Sequence, residues 1–258
     1  MKELLIKAKI IKLHNLKNND YCLGICVLNE GKKIINQIKK IKKLKFSNVD
    51  LVICDGKSND NSLDINFLKN NNVKTLLIKE SSNGHLSFQI QILIKHALKQ
   101  NYKGLILVDG NDKDSLTQIP DFIKSIQDGF DYIHGSRYYK GGRDFNTPFS
   151  RRILTKYIHP LFFYNNYFKF TDTANGYRAV SRKFILENKK KIFRNCFDYY
   201  NLQYFLIRIA IKKRYKTKEI GVTRRYKKIH YQIPSHSSGI GYIRILKDLV
   251  LTNLGYYD

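Results

Sequence analysis

Apolar residues in the first half of the chain fall into two kinds of stretch that alternate. Short continuous apolar runs predict strands buried on both faces, and apolar residues that recur every three or four positions predict helices. Ile34, Ile35, Ile38 and Ile41, for example, share one face of a predicted helix. The predicted strands are 21–28, 50–54, 73–78, 104–108 and 132–134, and the predicted helices are 31–44, 62–69, 86–99 and 117–127. This alternation predicts an α/β fold, a doubly wound and mostly parallel sheet with helices on both faces.

The pattern changes after residue 135. Two Gly-rich or Pro-containing segments around Gly141 and Pro148 mark a loop, and an aromatic-rich stretch over 149–167 is predicted to be helical. A strand over 176–180, helices over 182–190 and 199–213, a strand over 217–223 and a helix over 242–254 follow. Because no linker or repeat interrupts these elements, we expect a single domain over 1–258 with two halves, 1–136 and 137–258.

The chain is strongly basic. Its formal net charge is +26, from 47 Lys and Arg against 21 Asp and Glu. Such a charge has three candidate causes: nucleic-acid binding, attraction to anionic membranes or phosphate substrates, and a codon bias that favours Lys, Asn and Ile. Lys and Asn occur in every segment, which favours codon bias as the main cause.

The cellular location of the protein and the redox state of its cysteines can be predicted from the apolar runs and the cysteine spacing. No apolar run is long enough to span a bilayer, so we expect a cytoplasmic protein, free or peripheral on the inner face of the membrane. Residues 1–17 mix Lys with apolar positions, which fits an amphipathic surface helix or an ordinary first helix or strand. The chain has four cysteines and no CxxC pair; the cysteines are Cys22, Cys26, Cys54 and Cys196. We therefore expect reduced thiols and no zinc site.

Two turns rich in carboxylates carry the candidate chemistry. VICDGKSNDNS (52–62) and LILVDGNDKDS (105–115) each begin as a buried strand and end in Asp-Gly with further Asp and Asn. Because ligands of open α/β sheets bind at the carboxyl ends of the strands, both turns should face one crevice. Carboxylates there suit a nucleoside diphosphate and a divalent cation.

Six short segments resemble, in order and spacing, a family 2 glycosyltransferase of the GT-A fold. They are VLNEG, ICDGKSNDNS, VDGNDKDS, GSR, DTANGYRAVSR and EIGVTRRY, which together extend from about residue 21 to 254 with their flanking elements. Within the family the spacing is similar to the dolichol- or polyprenyl-phosphate mannose synthase branch. The resemblance implies an inverting, metal-dependent enzyme that uses a nucleoside-diphosphate sugar in cell-envelope glycan or lipid-linked sugar synthesis.

The resemblance also implies a set of binding residues. The first half would hold the nucleotide and the second half the acceptor. Positions that match the family's nucleotide-sugar site are Val27, Asn29, Glu30, Asp55, Gly84, Asp109, Gly110, Arg137, Arg178, Arg225 and His236. His85, beside Gly84, is a further candidate for a contact with the base.

Asp109 and Asp172 are the candidate catalytic residues. Asp109 matches the first Asp of the family's DXD signature, so the resemblance implies that it binds Mg²⁺ or Mn²⁺. Asn111 replaces the second Asp and is a candidate ligand, with Asp112 or Asp114 able to complete the site. Asp172 would be the general base for a hydroxyl acceptor, would orient groups for a polyprenyl-phosphate acceptor, or would cap a turn.

Three functional alternatives remain open at this point. The acceptor is either a polyprenyl phosphate or a sugar hydroxyl. Asn111 in the metal motif also allows a non-catalytic relative that binds nucleotide sugars. A basic nucleic-acid-binding protein would need an aromatic and basic platform or a recognition helix, and the sequence shows neither, so no specific nucleic-acid partner is expected.

Overall fold

The structure, a computed structural model, describes residues 7–14, 19–81, 85–226 and 239–258. Eight strands form one sheet in the order β1-β4-β3-β2-β5-β8-β6-β9. These strands are β1 (Ala8–Lys12), β2 (Tyr21–Val27), β3 (Val49–Asp55), β4 (Val73–Lys79), β5 (Gly104–Asp109), β6 (Tyr132–Ser136), β8 (Arg178–Ser181) and β9 (Thr217–Gly221). A separate parallel pair consists of β7 (Arg143–Phe145) and β10 (Thr223–Arg225).

Helices cover both faces of the large sheet. They are α1 (Lys32–Leu44), α2 (Ile65–Asn70), α3 (Leu86–Lys99), α4 (Ile119–Gln127), α5 (Phe149–Ile153), α6 (His159–Phe162), α7 (Arg182–Ile192), α8 (Asn201–Lys212) and α9 (Gly239–Asn253). A π-helical turn, Leu154–Ile158, joins α5 to α6. One hydrophobic core holds α1, α2 and α4 against the sheet, and another holds α3, α7, α8 and α9 against its opposite face.

The two hydrophobic cores result from the alternation of side chains between the two faces of each strand. Leu23 and Ile25 of β2 belong to the core under α1 and α4, whereas Cys22 belongs to the core under α3. Because successive side chains of a strand point to opposite faces, a continuous apolar run fills two cores at once. The α/β fold predicted from the sequence, with a mostly parallel sheet and helices on both faces, is confirmed.

Of the alternatives considered for residues 1–17, a strand is correct for Ala8–Lys12, because β1 is an edge strand antiparallel to β4. Two other details differ from the sequence prediction. β8 lies antiparallel between β5 and β6. The strand predicted over 217–223 is divided at Val222 into β9 and β10, because β10 leaves the large sheet to pair with β7.

The order of the strands reverses beside β2. The chain passes from β2 to β3 and β4 on one side, and β5 then lies on the other side of β2. Ligands of doubly wound sheets bind at such a reversal, outside the carboxyl ends of the strands. The carboxyl ends of β2 and β5 therefore mark where a site is expected. Among the described helices, none has both the length and the hydropathy needed to cross a bilayer.

Candidate active site

A cavity of about 370 Å³ lies at the strand-order reversal. Cys26 and Leu28 line it from the end of β2, and Asp109 and Gly110 line it from the end of β5. The sheet register explains this proximity, because Cys26 of β2 pairs with Asp109 of β5. The opposite wall comes from the second half of the chain, including residues of α5, α6, α8 and β10. The two halves predicted from the sequence thus meet across one cavity.

The turn after β5 is held by a side chain from α1. Gln37, which is buried, donates from Nε2 to the carbonyl of Asp109 at 2.9 Å and accepts from the backbone NH of Asp112 at 3.0 Å. Gly110 is required inside this turn, since a Cβ there would lie 2.9 Å from the carbonyl oxygen of Cys26. Gln37 and Gly110 therefore define the backbone conformation around Asp109.

The Asp109 carboxylate lies partly open to the cavity, with 27% of its side chain exposed. Its Oδ2 accepts from Nη2 of Arg224 at 3.1 Å and lies 3.4 Å from Nδ2 of Asn111. Gly176 makes room for the other oxygen, because a Cβ at that position would lie 2.3 Å from Oδ1. Asp109 is thus a positioned carboxylate at the end of a buried strand.

The possible metal ligands around Asp109 suit a cation that also binds the phosphates of a nucleoside diphosphate. Asp112 turns away to Lys40 at 2.7 Å, and Asp114 is buried against Arg224, so neither lines the cavity. Within the described ranges, no group of three His, Cys, Asp or Glu side chains could hold a metal by itself. Mg²⁺ is commonly held by one or two protein oxygens plus substrate phosphates and water, and the Asp109 carboxylate can supply such an oxygen. The Asn111 amide oxygen accepts from the backbone NH of Lys113 at 3.2 Å while its Nδ2 faces Asp109, so Asn111 would join the ligands only after its amide turns over.

Cationic side chains outnumber carboxylates on the cavity wall. Among the described residues of the wall, the carboxylates are Glu30 and Asp109, and the cations are Lys33, Lys79, Lys113, Arg137, Arg151 and Arg224. Burial and the nearby Arg224 lower the pKa of Lys113. Burial opposes ionisation of the Tyr226 phenol, but Arg224 and Arg151 outweigh it and lower the pKa of Tyr226. The Tyr226 shift reflects the excess of cations around its phenol, and such a surrounding attracts a polyanion.

Arg137 reaches the cavity wall as half of a buried ion pair. Its Nε and Nη2 donate to the two oxygens of Asp172 at 2.6 and 2.9 Å, with 2% of the Arg137 side chain and none of Asp172 exposed. Burial disfavours the charged carboxylate, but Arg137 outweighs it and lowers the pKa of Asp172. Both oxygens of Asp172 are occupied and it is not on the cavity wall, so the geometry favours a positioning role over the general base predicted from the sequence.

The segment that carries Asp172 is anchored by Glu219 of β9. The Glu219 carboxylate accepts from the backbone NH groups of Thr171 and Asp172 at 3.0 and 3.3 Å. Burial raises the pKa of Glu219 to about 7. The ion pair and this anchor together fix where the Arg137 guanidinium lies.

Two arginines predicted for the nucleotide-sugar site do not line the cavity. Arg178 is fully buried and donates to the carbonyls of Asn175 and Gln203 at 2.6 and 2.9 Å, so it ties β8 to α8 rather than lining the cavity. Arg225 is exposed and stacks on Phe145, with 4.1 Å between guanidinium carbon and ring centroid. Arg224 lines the cavity instead, because adjacent residues of β10 point to opposite sides.

The residues predicted for the nucleoside end lie close together. Val27 is buried, and its carbonyl accepts from the backbone NH of Gly56 at 2.8 Å. Asp55 accepts from the backbone NH of Ser58 at 2.9 Å and thereby shapes the turn after β3, although it does not line the cavity. Asn29 accepts from the NH of Asn59 at 2.9 Å, and Glu30 lines the cavity while it pairs with Lys33. Gly84 and His236 lie outside the described residues.

Sequence reasoning missed Gln89 and the Tyr199 ring at this end. Gln89 donates from Nε2 to the carbonyls of Val27 and Cys54 at 2.8 and 3.1 Å, which joins the ends of β2 and β3. His85 stacks on Tyr199 with ring centroids 3.8 Å apart, and its Nδ1 lies 2.6 Å from a carboxylate oxygen of Asp198. The only feature of the sequence that could have indicated these residues is the Tyr-rich segment before α8, and such a segment does not by itself predict a binding site.

His159 of α6 was also missed. It lines the cavity with 2% of its surface exposed, and neither ring nitrogen has a hydrogen-bond partner among the described residues. Burial lowers the pKa of His159 to about 4, so the ring is neutral near pH 7. A neutral imidazole can accept a proton or a hydrogen bond from a hydroxyl group in the cavity.

Comparisons with known proteins bear on the family and the fold of this chain. The sequence model described as Glycosyl transferase family 2 matches residues 22–188. A comparison with curated protein sequences finds no match.

Solved structures share the fold at low sequence identity. Crystal structures of glucosyl-3-phosphoglycerate synthase from Mycobacterium tuberculosis are among the matches. The complex with UDP has a TM-score of 0.63 and 11% identity over 91% of this chain and 80% of that chain. The complex with phosphoglyceric acid has a TM-score of 0.66 and 13% identity over 92% and 80%. The complex with Mn²⁺ and UDP-glucose gives 0.66 and 13% over 92% and 79%.

Proposed function

This chain belongs to glycosyltransferase family 2 and is a glycosyltransferase of the GT-A fold; from this premise we propose that it transfers a sugar, with inversion, from a nucleoside-diphosphate sugar. The observation that carries the proposal is the placement of Asp109 at the end of β5, on the wall of a cavity lined mainly by cations. Such a wall suits a diphosphate, and Asp109 offers it a shared cation. The similar Mycobacterium enzyme was crystallised with Mn²⁺ and UDP-glucose, which supports the same ligand class here.

The nucleotide is proposed to lie along the ends of β2, β3 and β5. Glu30 and the stacked pair of His85 and Tyr199 form the nucleoside end, and Lys113, Arg137 and Arg224 face the diphosphate. Arg244 already lies 4.0 Å from the Tyr199 ring centroid, so a base would stack on the exposed His85 ring, while guanidinium groups pair with phosphate oxygens. A Mg²⁺ or Mn²⁺ ion held by Asp109 and Asn111 would neutralise charge on the departing diphosphate.

The acceptor is proposed to enter from the second half of the chain. Its oxygen attacks C1 of the sugar from the face opposite the diphosphate, so a C–O bond forms as the bond to the diphosphate breaks. A hydroxyl acceptor must lose a proton, and we propose that neutral His159 orients the hydroxyl by accepting its hydrogen bond, since a pKa of about 4 makes the buried ring a weak base. A polyprenyl phosphate is already ionised and needs no base. Both acceptor classes fit a role in cell-envelope glycan or lipid-linked sugar synthesis, at the inner membrane face or free in the cytoplasm.

Donor binding is expected to depend on a divalent cation. UDP, GDP, CDP and dTDP should be compared by thermal denaturation, each with Mg²⁺, Mn²⁺ or EDTA. At a hundred times its dissociation constant, the preferred nucleotide should stabilise the protein by about 2.7 kcal/mol, which raises Tm by roughly 5 °C for a chain of this size. The corresponding nucleoside without phosphates is the control. Equal stabilisation in EDTA would contradict a shared cation.

Arg224 is expected to contribute to nucleotide affinity far more than its neighbour Arg225. Arg224→Gln should weaken binding of the preferred nucleoside diphosphate by roughly 10-fold to 100-fold, since a hydrogen bond between charged groups contributes about 1.5–3 kcal/mol. Arg225→Gln, the matched control, should leave affinity within about twofold, because Arg225 lies exposed on Phe145. Isothermal titration calorimetry measures both.

Arg224 also pairs with buried Asp114, so Arg224→Lys is needed as a second variant that keeps the charge. If Arg224→Lys folds with normal stability and both Arg224 variants bind nucleotide as the wild type does, Arg224 does not contact the diphosphate. If Arg225→Gln shows the larger loss, the assignment of the two arginines is reversed.

A further inference from the structure

Gln89 of α3 carries a buried amide at the nucleoside end of the cavity. It lines the cavity wall, and 5% of the residue is exposed. Its Nε2 donates to the carbonyls of Val27 and Cys54, where β2 and β3 end, at 2.8 and 3.1 Å. Because a carbonyl oxygen can only accept a hydrogen bond, the amide atom that faces these two carbonyls must be the nitrogen. The orientation of the Gln89 amide is therefore determined.

The oxygen of this amide, Oε1, has no hydrogen-bond donor. No group in the described part of the chain donates to it, although the atom is not sealed from solvent. An amide oxygen has two lone pairs and can accept from a ligand or from water. The nucleoside end of the cavity therefore presents a fixed acceptor to whatever binds there.

The neighbours of Gln89 explain why this amide, and not a carboxylate, occupies the position. Gly56 leaves the space for it, since a Cβ at Gly56 would lie 2.8 Å from Nε2 of Gln89. Asp55 was predicted for the nucleotide-sugar site, but its Oδ1 accepts from the backbone NH of Ser58 and it does not line the cavity. Gln89, rather than Asp55, offers a side-chain acceptor to a ligand at this end.

Nucleobases differ in what they can offer to such an acceptor. Uracil and thymine carry a hydrogen on N3, and guanine carries one on N1. Cytosine and adenine have a lone pair on the equivalent ring nitrogen, which an amide oxygen repels. A site built to receive an N–H group discriminates against a ligand that lacks it, because the site's own buried polar group is then left unpaired. A fixed acceptor therefore favours uracil, thymine and guanine.

We propose that Gln89 reads the base of the sugar donor: its Oε1 accepts from the ring N–H of uracil, thymine or guanine and disfavours cytosine and adenine. This inference rests on the proposed function, because it needs a nucleoside diphosphate in the cavity, and it adds the class of base. His85 precedes Gln89 by one helical turn and also lines the cavity. A base that stacks on the His85 ring can thus present its edge to Gln89.

Isothermal titration calorimetry with the full chain and Mn²⁺ tests the base preference. UDP or GDP should bind at least about tenfold more tightly than CDP and ADP, since an unpaired buried acceptor has a cost of that order. Methylation of the ring nitrogen, in 3-methyl-UDP or 1-methyl-GDP, should weaken binding of the preferred ligand by about tenfold or more. The control for added bulk is 5-methyl-UDP, which keeps its N3–H group and should bind as UDP does.

The variant Gln89→Met shows whether Gln89 is the residue responsible. Methionine has a similar length and lacks a strong acceptor. In this variant, methylation of the ring nitrogen should change the affinity of the preferred ligand by less than about threefold, because the two changes remove the same hydrogen bond.

Gln91→Met is the matched control for loss of a buried amide from α3. Gln91 donates to the carbonyls of Ile192 and Arg194 at 2.7 and 2.9 Å, and it does not line the cavity. This variant should keep the wild-type ratio between the affinities of the unmethylated and methylated ligands.

The outcomes separate the role of Gln89 from the proposed function. If none of these nucleoside diphosphates binds in the presence of Mn²⁺, the proposed function is contradicted. If they bind with similar affinities, or if CDP or ADP binds best, the role of Gln89 is overturned while the donor site stands. The same holds if folded Gln89→Met keeps the full effect of methylation. The comparison of bases uses wild-type protein, so it can overturn the inference even if Gln89→Met does not fold.

Discussion

Asp109→Asn is expected to reduce glycosyl transfer by roughly three orders of magnitude while the protein remains folded. The change removes a negative charge from the end of β5 and leaves a side chain of the same shape. Asp109 and Glu30 are the carboxylates on the described cavity wall, and Glu30 is engaged by Lys33. Without Asp109 the wall offers a divalent cation little to hold it, so the leaving diphosphate should lose much of its charge stabilisation.

Asp112→Asn is the matched control for this prediction, because Asp112 lies three residues further along the same turn. Its carboxylate pairs with Lys40 and does not line the cavity. Initial rates of transfer and the metal-dependent shift in Tm should be measured for both variants. Asp109→Asn should lose both, and Asp112→Asn should keep both within about twofold, because the Lys40 partner of Asp112 is exposed and the pair lies off the cavity wall. If Asp109→Asn unfolds, or if it keeps metal-dependent turnover, Asp109 is a structural residue.

The place of Asp109 in the site could be predicted from the sequence, because it depends only on where one strand ends and on the general location of ligands in a doubly wound sheet. A buried apolar run that ends in Asp-Gly places the Asp at the carboxyl end of a strand, where ligands bind in a doubly wound sheet. The structure places Asp109 and Gly110 on the cavity wall at that end of β5. The same reasoning placed Asp55 near the site, and the family resemblance placed Val27 there. The two lie opposite each other in the register of β2 and β3, although neither lines the cavity.

The arginines could not be assigned in this way, because their environment depends on residues far apart in the chain. Arg178 is fixed by Gln203 and Tyr132, which α8 and β6 bring to it. The choice between Arg224 and Arg225 depends on which face of a three-residue strand meets the cavity, and β10 has its register set by β7 rather than by the large sheet. Strand alternation predicts that only one of two neighbours faces inward, but it does not say which.

The inward polar face of the segment from α5 to α6 was also hidden in the sequence. Apolar spacing identifies a helix, and the ordinary assumption is that its apolar side is buried. Here Thr155 and His159 are buried and Leu161 is exposed, the reverse of that assumption. Only the position of the cavity, which several distant segments form together, shows which side of this helix faces the protein.

Asp172→Asn is expected to lower the free energy of unfolding by about 3–5 kcal/mol, because it leaves the buried Arg137 without its charged partner. Turnover should fall as well, since the guanidinium on the cavity wall is no longer held. The pKa of Asp172 is lowered in the folded protein, so its stabilising contribution is present above the unfolded pKa and is lost as the pH falls through the folded value. In the variant this acid-dependent part of the stability curve should disappear. Urea denaturation at several pH values measures both effects.

A double-mutant cycle separates a positioning role for Asp172 from the general base expected by resemblance. The three variants are Asp172→Asn, Arg137→Gln and the two together, and turnover is measured for each with a hydroxyl acceptor and with a polyprenyl phosphate. If Asp172 acts only by holding Arg137, the double variant should be no slower than Arg137→Gln alone, and its stability should partly recover because no unpaired charge remains buried. If Asp172 removes the acceptor proton, the double variant should be slower than Arg137→Gln by a further factor of roughly 100 to 10,000, and only with the hydroxyl acceptor.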